Sequence, residues 1–275
     1  MPHPRALRYI VLTPTTHPAM SAPAVFDYAA LSDTGRVRNH NEDALAVAPA
    51  IGLVVLADGM GGYAAGEVAS DIAVSVIRDV VEQHFLHQPI VTDELWQVLV
   101  DAVLEANTAI IAAAADEPSY RGMGATLVTG LFHGSLLVLA HVGDSRAYRM
   151  RDGLLTVLTR DHSVLQERID AGQVTAEQAR VSTIRNLVTR ALGVATLLSV
   201  EVHEHAMERG DVYLFCSDGL NDMLTDEEIT AILLGGTGGL EQTCTELISA
   251  ANKAGGADNV SVVLVYVDQV VGSQE

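Results

Sequence analysis

Two helical stretches follow each other directly between segments of strand length, and that order constrains the fold more than any other feature of the chain. The first begins near Glu67 with an apolar stripe at Val68, Ile72, Val76 and Val80; the second begins near Asp93 with one at Leu95, Leu99, Val103, Ala106 and Ile110. Apolar runs of strand length are read at residues 51–57, 126–132, 136–142, 212–216 and 260–267. Two successive helices exclude a simple βαβ alternation and favour an α+β arrangement in layers. The pairs Ser163/Gln166, Thr175/Gln178 and Thr225/Glu228 are capping-box signals for short helices. Residues 159–192 therefore read as a polar helical insertion between strand segments at 154–158 and 198–202, of a size that commonly serves as a lid or recognition element. A last helix over 240–253 precedes the final strand.

With 275 residues and 49% apolar side chains the chain can bury a full core, and one domain over residues 25–270 accounts for it. Residues 1–24 contain Pro2, Pro4, Pro14, Pro18 and Pro23 and read as a flexible extension, with Met20 a second candidate start beside Met1; residues 271–275 read as a short tail. A net charge of −19 argues against a broad electrostatic grip on nucleic acid or anionic lipid. The longest apolar candidate, residues 126–140, is interrupted by Gly130, His133 and Gly134 and falls short of a membrane span. Cys216 and Cys244 form no CxxC pair, which fits a reducing, cytoplasmic setting. A cytoplasmic monomer with neither nucleic acid nor membrane as partner is the expectation.

Two of the strand segments end alike: Leu56-Ala57-Asp58-Gly59 and Cys216-Ser217-Asp218-Gly219. Ala257-Asp258-Asn259-Val260 places an aspartate at the start of the last strand, and antiparallel pairing sets the start of one strand beside the end of its neighbour. Three carboxylates are thus expected to meet at one sheet edge. Each like-charge pair at about 4 Å costs roughly 1 kcal/mol in water and about 4 at an effective dielectric of 20, so divalent cations are the natural compensation. Oxygen-only ligands, with the Gly59 carbonyl among them, suit Mg2+ or Mn2+, and three aspartates with one hydroxide balance two such ions. Asp-Gly after a strand is also an ordinary turn, and it is the three occurrences together that point to chemistry. Arg38, in a polar loop with Glu42 and Asp43, could hold a phosphate in a planar fork or be an ordinary surface arginine.

On these pieces the chain resembles the metal-dependent serine/threonine protein phosphatases of the 2C type, the PPM family, in its bacterial form. The resemblance runs from about Asp27 to Asp268. It rests on Ser32-Asp33-Thr34-Gly35 with Asn41-Glu42-Asp43, Ala57-Asp58-Gly59-Met60-Gly61-Gly62 with Gly66-Glu67, and Gly122-Met123-Gly124-Ala125-Thr126. Val142-Gly143-Asp144-Ser145-Arg146, Leu158-Thr159-Arg160-Asp161-His162-Ser163, Ser217-Asp218-Gly219 and Ala257-Asp258-Asn259-Val260 follow in the family's order. The resemblance implies an α/β/β/α four-layer sandwich of two antiparallel sheets flanked by helices, with two Mn2+ or Mg2+ at one end and a third, weaker site. By motif, Asp58 would bridge the ions, the Gly59 carbonyl, Asp218 and Asp258 would complete their protein ligands, and Glu42 and Asp43 would hold waters. Arg38 would bind phosphate, and Asp144 would help hold the third ion. The implied reaction is hydrolysis of phosphoserine and phosphothreonine in proteins by activated water, without a covalent phosphoenzyme, opposing a partner kinase.

Met60 stands where eukaryotic relatives carry a histidine assigned as general acid, which leaves leaving-group protonation to a metal-bound water first, then His40 or His162. Ser182-Thr183-Ile184-Arg185-Asn186 lacks the His-Pro that bacterial relatives often show in the insertion. Cys216 is read as a small buried hydrophobe, because Asp222 stands where a cysteine phosphatase needs arginine. Glu201, His203 and His205 share one strand face, which suits zinc or, more simply, a solvated face. The run 111–115 reads as tight helix packing. Two rival functions are a catalytically silent binding or sensing module on the same fold and a two-metal nuclease, the latter disfavoured by the net charge.

Overall fold

The computed structural model describes residues 6–7, 24–62, 65–87, 92–175, 178 and 187–270. Strands run in chain order β1 (Ala6–Leu7), β2 (Val25–Asp33), β3 (Asp43–Ala48), β4 (Leu53–Met60), β5 (Gly124–Ala125), β6 (Leu127–His133) and β7 (Leu136–Val142). They continue as β8 (Arg146–Arg151), β9 (Leu154–Val157), β10 (Glu201–Ala206), β11 (Val212–Cys216) and β12 (Val260–Gln269). Helices are α1 (Ala65–His87), α2 (Leu95–Asp116), α3 (Val164–Asp170), α4 (Asp218–Asn221), α5 (Asp226–Gly235) and α6 (Leu240–Ala254). One sheet has the order β1-β2-β12-β11-β8-β9, the other β10-β7-β6-β4-β3 with β5 beside β4, and the strand pairs are antiparallel.

Side-chain alternation along the central strands builds three apolar layers. On β4, Leu53, Val55 and Ala57 pack toward α1 and α2, while Val54 and Leu56 face the other sheet. On β12, Val260, Val262 and Leu264 pack toward α6, while Val263, Val265 and Val267 face inward. Such strands, covered on both faces, read as continuous apolar runs, which is why they are visible in the sequence. The result is the expected α/β/β/α sandwich: α1 and α2 on one side, two sheets face to face, and α4, α5 and α6 on the other.

Departures from the sequence reading have physical causes. The fully buried face of α1 is Ala69, Ala73, Ile77 and Val81; Val68, Ile72, Val76 and Val80 are half-buried beside it. Small alanines let the helix backbone approach the sheet, so the largest apolar residues do not mark its contact face. The stripe of α2 is buried as expected. Residues 111–115, by contrast, are half-buried or exposed at the end of α2, with only Ala113 and Ala114 leaning on the core among the alanines. The 22-residue α2 is long and apolar enough to cross a bilayer by length and composition alone, although one face is packed on the sheet. β2, β3 and β8 escape a search for apolar runs: β2 is broken by Asp27, β3 is half alanine, and β8 reads Arg-Ala-Tyr-Arg-Met-Arg and is recruited between β11 and β9.

The Ser163 and Thr225 caps form as expected, the latter as a complete reciprocal box. Thr175 and Gln178 exchange the same pair of bonds, but the helix they would start lies largely outside the described residues, as do 182–186, most of 1–24, and 271–275. The inter-sheet layer centres on Phe132, whose ring lies 5.5–6.4 Å from those of Phe26, Tyr28, Tyr213 and Phe215. Phe132→Ala is expected to lower stability by about 3–5 kcal/mol in urea unfolding. A loss under about 1 kcal/mol would show that this cluster does not bind the sheets together.

Candidate metal centre

The β3–β4 register sets Asp43 directly opposite Asp58, and both continue the inward-facing rows Val47, Leu45 and Val54, Leu56. Asp218 opens α4 immediately after β11, and Asp258 precedes β12, the antiparallel partner of β11. The aspartates therefore do not gather at one sheet edge, as strand pairing alone suggested. Asp43 and Asp58 come from one sheet and Asp218 and Asp258 from the other, and they converge across the gap at one end of the sandwich. Ser217 Oγ donates to Asp43 Oδ2 at 2.8 Å, fastening the two sheets where the acids meet.

Close backbone approach makes this convergence possible. A Cβ on Gly59 would stand 2.1 Å from the Gly66 carbonyl oxygen and 2.6 Å from that of Glu42, so only glycine lets β4 pass between β3 and the start of α1. Gly59 N–H donates to the Glu42 carbonyl at 3.0 Å, and the Ser70 hydroxyl donates to the same oxygen at 2.6 Å. On the other sheet, Asn259 Oδ1 accepts from Glu42 N–H at 2.8 Å, while its Nδ2 donates to the carbonyls of Thr34 and His40, each at 2.9 Å. The sequence reading gave Asn259 and Ser217 no role of their own, although both lie inside the motifs. Nothing in the residue type reveals that one asparagine clamps the loop carrying Arg38, Glu42 and Asp43.

Burial, then mutual repulsion, drives the acid cluster toward protonation. Burial and the charges of Asp43, Asp218, Asp144 and Asp258 push Asp58 well above the usual carboxylate range. Burial and then Asp144, Asp222, Asp258 and Asp43 do the same to Asp218. Asp43 is raised to about 6 by burial, against the opposing bonds from Ser261 and Ser217. Asp144, buried at the β7–β8 turn, rises to about 7 through burial and the nearby Asp161. Glu42 is raised by burial against the lowering pull of Arg38. Asp222, read in the sequence only as an argument against a cysteine phosphatase, thus belongs electrostatically to the cluster.

This donor set fits hard divalent cations. It is made of oxygen atoms, its charges repel one another, and Asp43 Oδ1 is buried with no hydrogen-bond partner. Arg38 stands at the rim with its side chain 49% exposed, its Nη2 donating to Asp258 Oδ2 at 2.6 Å. His162 is no acid for this centre. It is buried, its Nδ1 accepts from Gly143 N–H at 3.1 Å, and its Nε2 lies 3.1 Å from Glu201. His40 is exposed, and Cys216 is fully buried as expected.

Carboxylates whose pKa is raised by folding lower the stability of the metal-free protein as pH climbs from the ordinary carboxylate value to the raised one. Buried His141 and His162, held down mainly by desolvation, act in the opposite direction, so the readout is a difference between variants. In excess chelator, Asp58→Asn is expected to raise stability at pH 8 by about 1–4 kcal/mol and much less at pH 5, where the native carboxyl is already protonated. Urea midpoints at the two pH values measure this; a variant less stable than the parent at pH 8 would contradict it.

A family model described as protein phosphatase 2C matches residues 35–264. The serine/threonine protein phosphatase PstP of Mycobacterium tuberculosis is 41% identical over 244 residues, covering 88% of this chain and 45% of PstP, so the chain spans about half the length of that relative. The serine/threonine phosphatase stp of Listeria monocytogenes is 36% identical over 243 residues, covering 86% of this chain and 94% of stp. A crystal structure of the PstP catalytic domain in complex with two manganese ions superposes with a TM-score of 0.80 at 38% identity, covering 90% of this chain and all of that one. With the match running through both sheets and every acidic motif, the chain belongs to the protein phosphatase 2C family.

Proposed function

We propose that the chain is a serine/threonine protein phosphatase whose site is the acid cluster between the two sheets. The observation that carries this reading is the mutual charge coupling of Asp43, Asp58, Asp218 and Asp258 between the two sheets, with one oxygen of Asp43 buried and partnerless and Arg38 paired to Asp258. Asp58, the Gly59 carbonyl, Asp218 and Asp258 hold two Mn2+ or Mg2+, Asp144 helps hold a third, weaker ion, and Glu42 and Asp43 orient water at the same centre. The two manganese ions in the PstP domain support that class of ion. When bound, such ions lower the pKa of water and neutralise charge on a phosphoryl group in transfer.

The protein's own part is to place groups. Ser217 fixes one oxygen of Asp43 and leaves the other, buried and without a hydrogen-bond partner, free to accept. Arg38 uses one nitrogen on Asp258 and keeps further N–H donors for the phosphate of a phosphoserine or phosphothreonine. Beside the cluster lies a cleft of about 420 Å³ lined by Arg146, Asp161, Leu165, Ile169, Asp222 and Thr225. Its wall includes α3, which supports a role for the insertion at 159–192 in touching the polypeptide on which the phosphate is carried. Phosphorylated proteins are the substrates, and a serine/threonine kinase that makes them is the opposing partner.

Turnover of a phosphothreonine peptide is expected to need Mn2+ or Mg2+, and to fall by at least about 100-fold, or ~2.7 kcal/mol, in Asp58→Asn and in Asp218→Asn. Full turnover in excess chelator would contradict the reading, and a folded, metal-loaded chain with no hydrolysis would favour a silent binding module. Arg38→Lys, which keeps the charge but loses the planar fork, is expected to raise KM by about tenfold; an unchanged KM would remove Arg38 from phosphate binding. Shortening the insertion between Gly172 and Leu187 is expected to change selectivity among phosphopeptides more than turnover of a small aryl phosphate. Equal losses on both would count against a recognition role.

A further inference from the structure

Four histidines form a ladder on the inward side of the sandwich at the β7–β10 edge. His141 and His162 rings stack 4.7 Å apart, His203 lies 6.3 Å from His141, and His205 lies 6.2 Å from His203. Glu201 is the direct cross-strand neighbour of His141, and His203 and His205 follow it on the same face of edge strand β10. His141, Glu201 and His203 each present a ligand atom within 4.8 Å of the other two.

The hydrogen bonds around this group have the form that accompanies imidazole ligation. His141 is fully buried, its Nε2 bonds to the Arg160 carbonyl at 2.9 Å, and its Nδ1 is buried with no partner. A carbonyl accepts only, so Nε2 carries the proton and Nδ1 carries a lone pair facing no donor. Metal-binding histidines are commonly held in this way, the far nitrogen donating to a carbonyl while the near one ligates. His205 Nε2 is likewise buried and partnerless. Burial favours the neutral, ligating form of His141. For Glu201 burial acts to raise the pKa, but bonds from His162 and His203 outweigh it and hold the carboxyl at about 2, so it stays anionic.

We infer that His141, Glu201 and His203, with water as the fourth donor, form a site for a borderline d-block cation such as Zn2+, distinct in donor chemistry from the all-oxygen cluster. Mixed nitrogen and carboxylate donors select zinc-like ions, whereas Mg2+ and Mn2+ prefer oxygen. Donors about 2 Å from a tetrahedral ion stand roughly 3.3 Å apart, so His203, half-buried on the edge strand, must move by about an ångström and release Glu201. The cation would then tie the edge strand β10 to β7 and, through Arg160 and His162, to the root of the insertion.

The untagged full-length chain carrying Asp58→Asn and Asp218→Asn, which weakens the carboxylate centre, is stripped with chelator and titrated with Zn2+ by calorimetry. A parallel titration with Co2+ is followed by visible absorption. One Zn2+ per chain and cobalt bands of tetrahedral intensity are expected, and adding His203→Gln to the same background should weaken Zn2+ binding by at least about tenfold. No Zn2+ uptake, or uptake weakened less than tenfold by His203→Gln, overturns the inference. Proton NMR of the parent chain needs no variant: Zn2+ should shift the ring signals of His141 and His203, and unmoved signals overturn it equally.

Discussion

Like charges held together between two sheets are the constraint around which this end of the molecule is built. Asp43 and Asp58 sit opposite one another in the β3–β4 ladder, and Asp218 and Asp258 arrive from the facing sheet. A one-residue slip in any of these ladders would turn a carboxylate from the gap toward the helices, so register is the variable that matters. The apolar layers fix that register. Val54 and Leu56 belong to the inter-sheet core and specify where Asp58 points, and Tyr213 and Phe215 settle the end of β11 just before Asp218.

Neutral polar groups hold much of the backbone around the repelling acids. Asn259 gathers three loop backbone groups, Ser217 links the sheets, and Ser32 and Ser261 bond at 2.7 Å along the β2–β12 pair. Arg38 is paired with Asp258, and it is half exposed at the rim. Other arginines pair elsewhere: Arg146 holds Asp161 in a two-pronged bond at 2.8 and 2.7 Å, and Arg151 holds Asp211 on the far part of β8. In a chain of net charge −19, a buried cluster of mutually repelling acids is a place where a divalent cation would be strongly attracted.

Much of this was legible in the sequence because doubly covered strands are continuous apolar runs and because helix α2 has a wide stripe. The order of elements revealed layers, and the Asp-Gly endings revealed the acids. What pairing rules could not supply was which sheet each strand joins, and so the acids were expected along one edge instead of across a gap. The alanine-rich β3 and the arginine-rich β8 were missed because their neighbours, not their own composition, make them strands, and β2 because Asp27 interrupts its apolar run. His141 was invisible as anything but one polar residue in an apolar strand. Its partnerless nitrogen emerges only when β10 is laid beside β7.

The most direct measurement is anomalous diffraction from crystals of the chain soaked in Mn2+. Two strong peaks between the sheets, in contact with Asp58, Asp218 and Asp258, are the expected result. A map with no manganese at that position, or with these aspartates turned away from the ions, would contradict the assignment of the acid cluster as the metal centre.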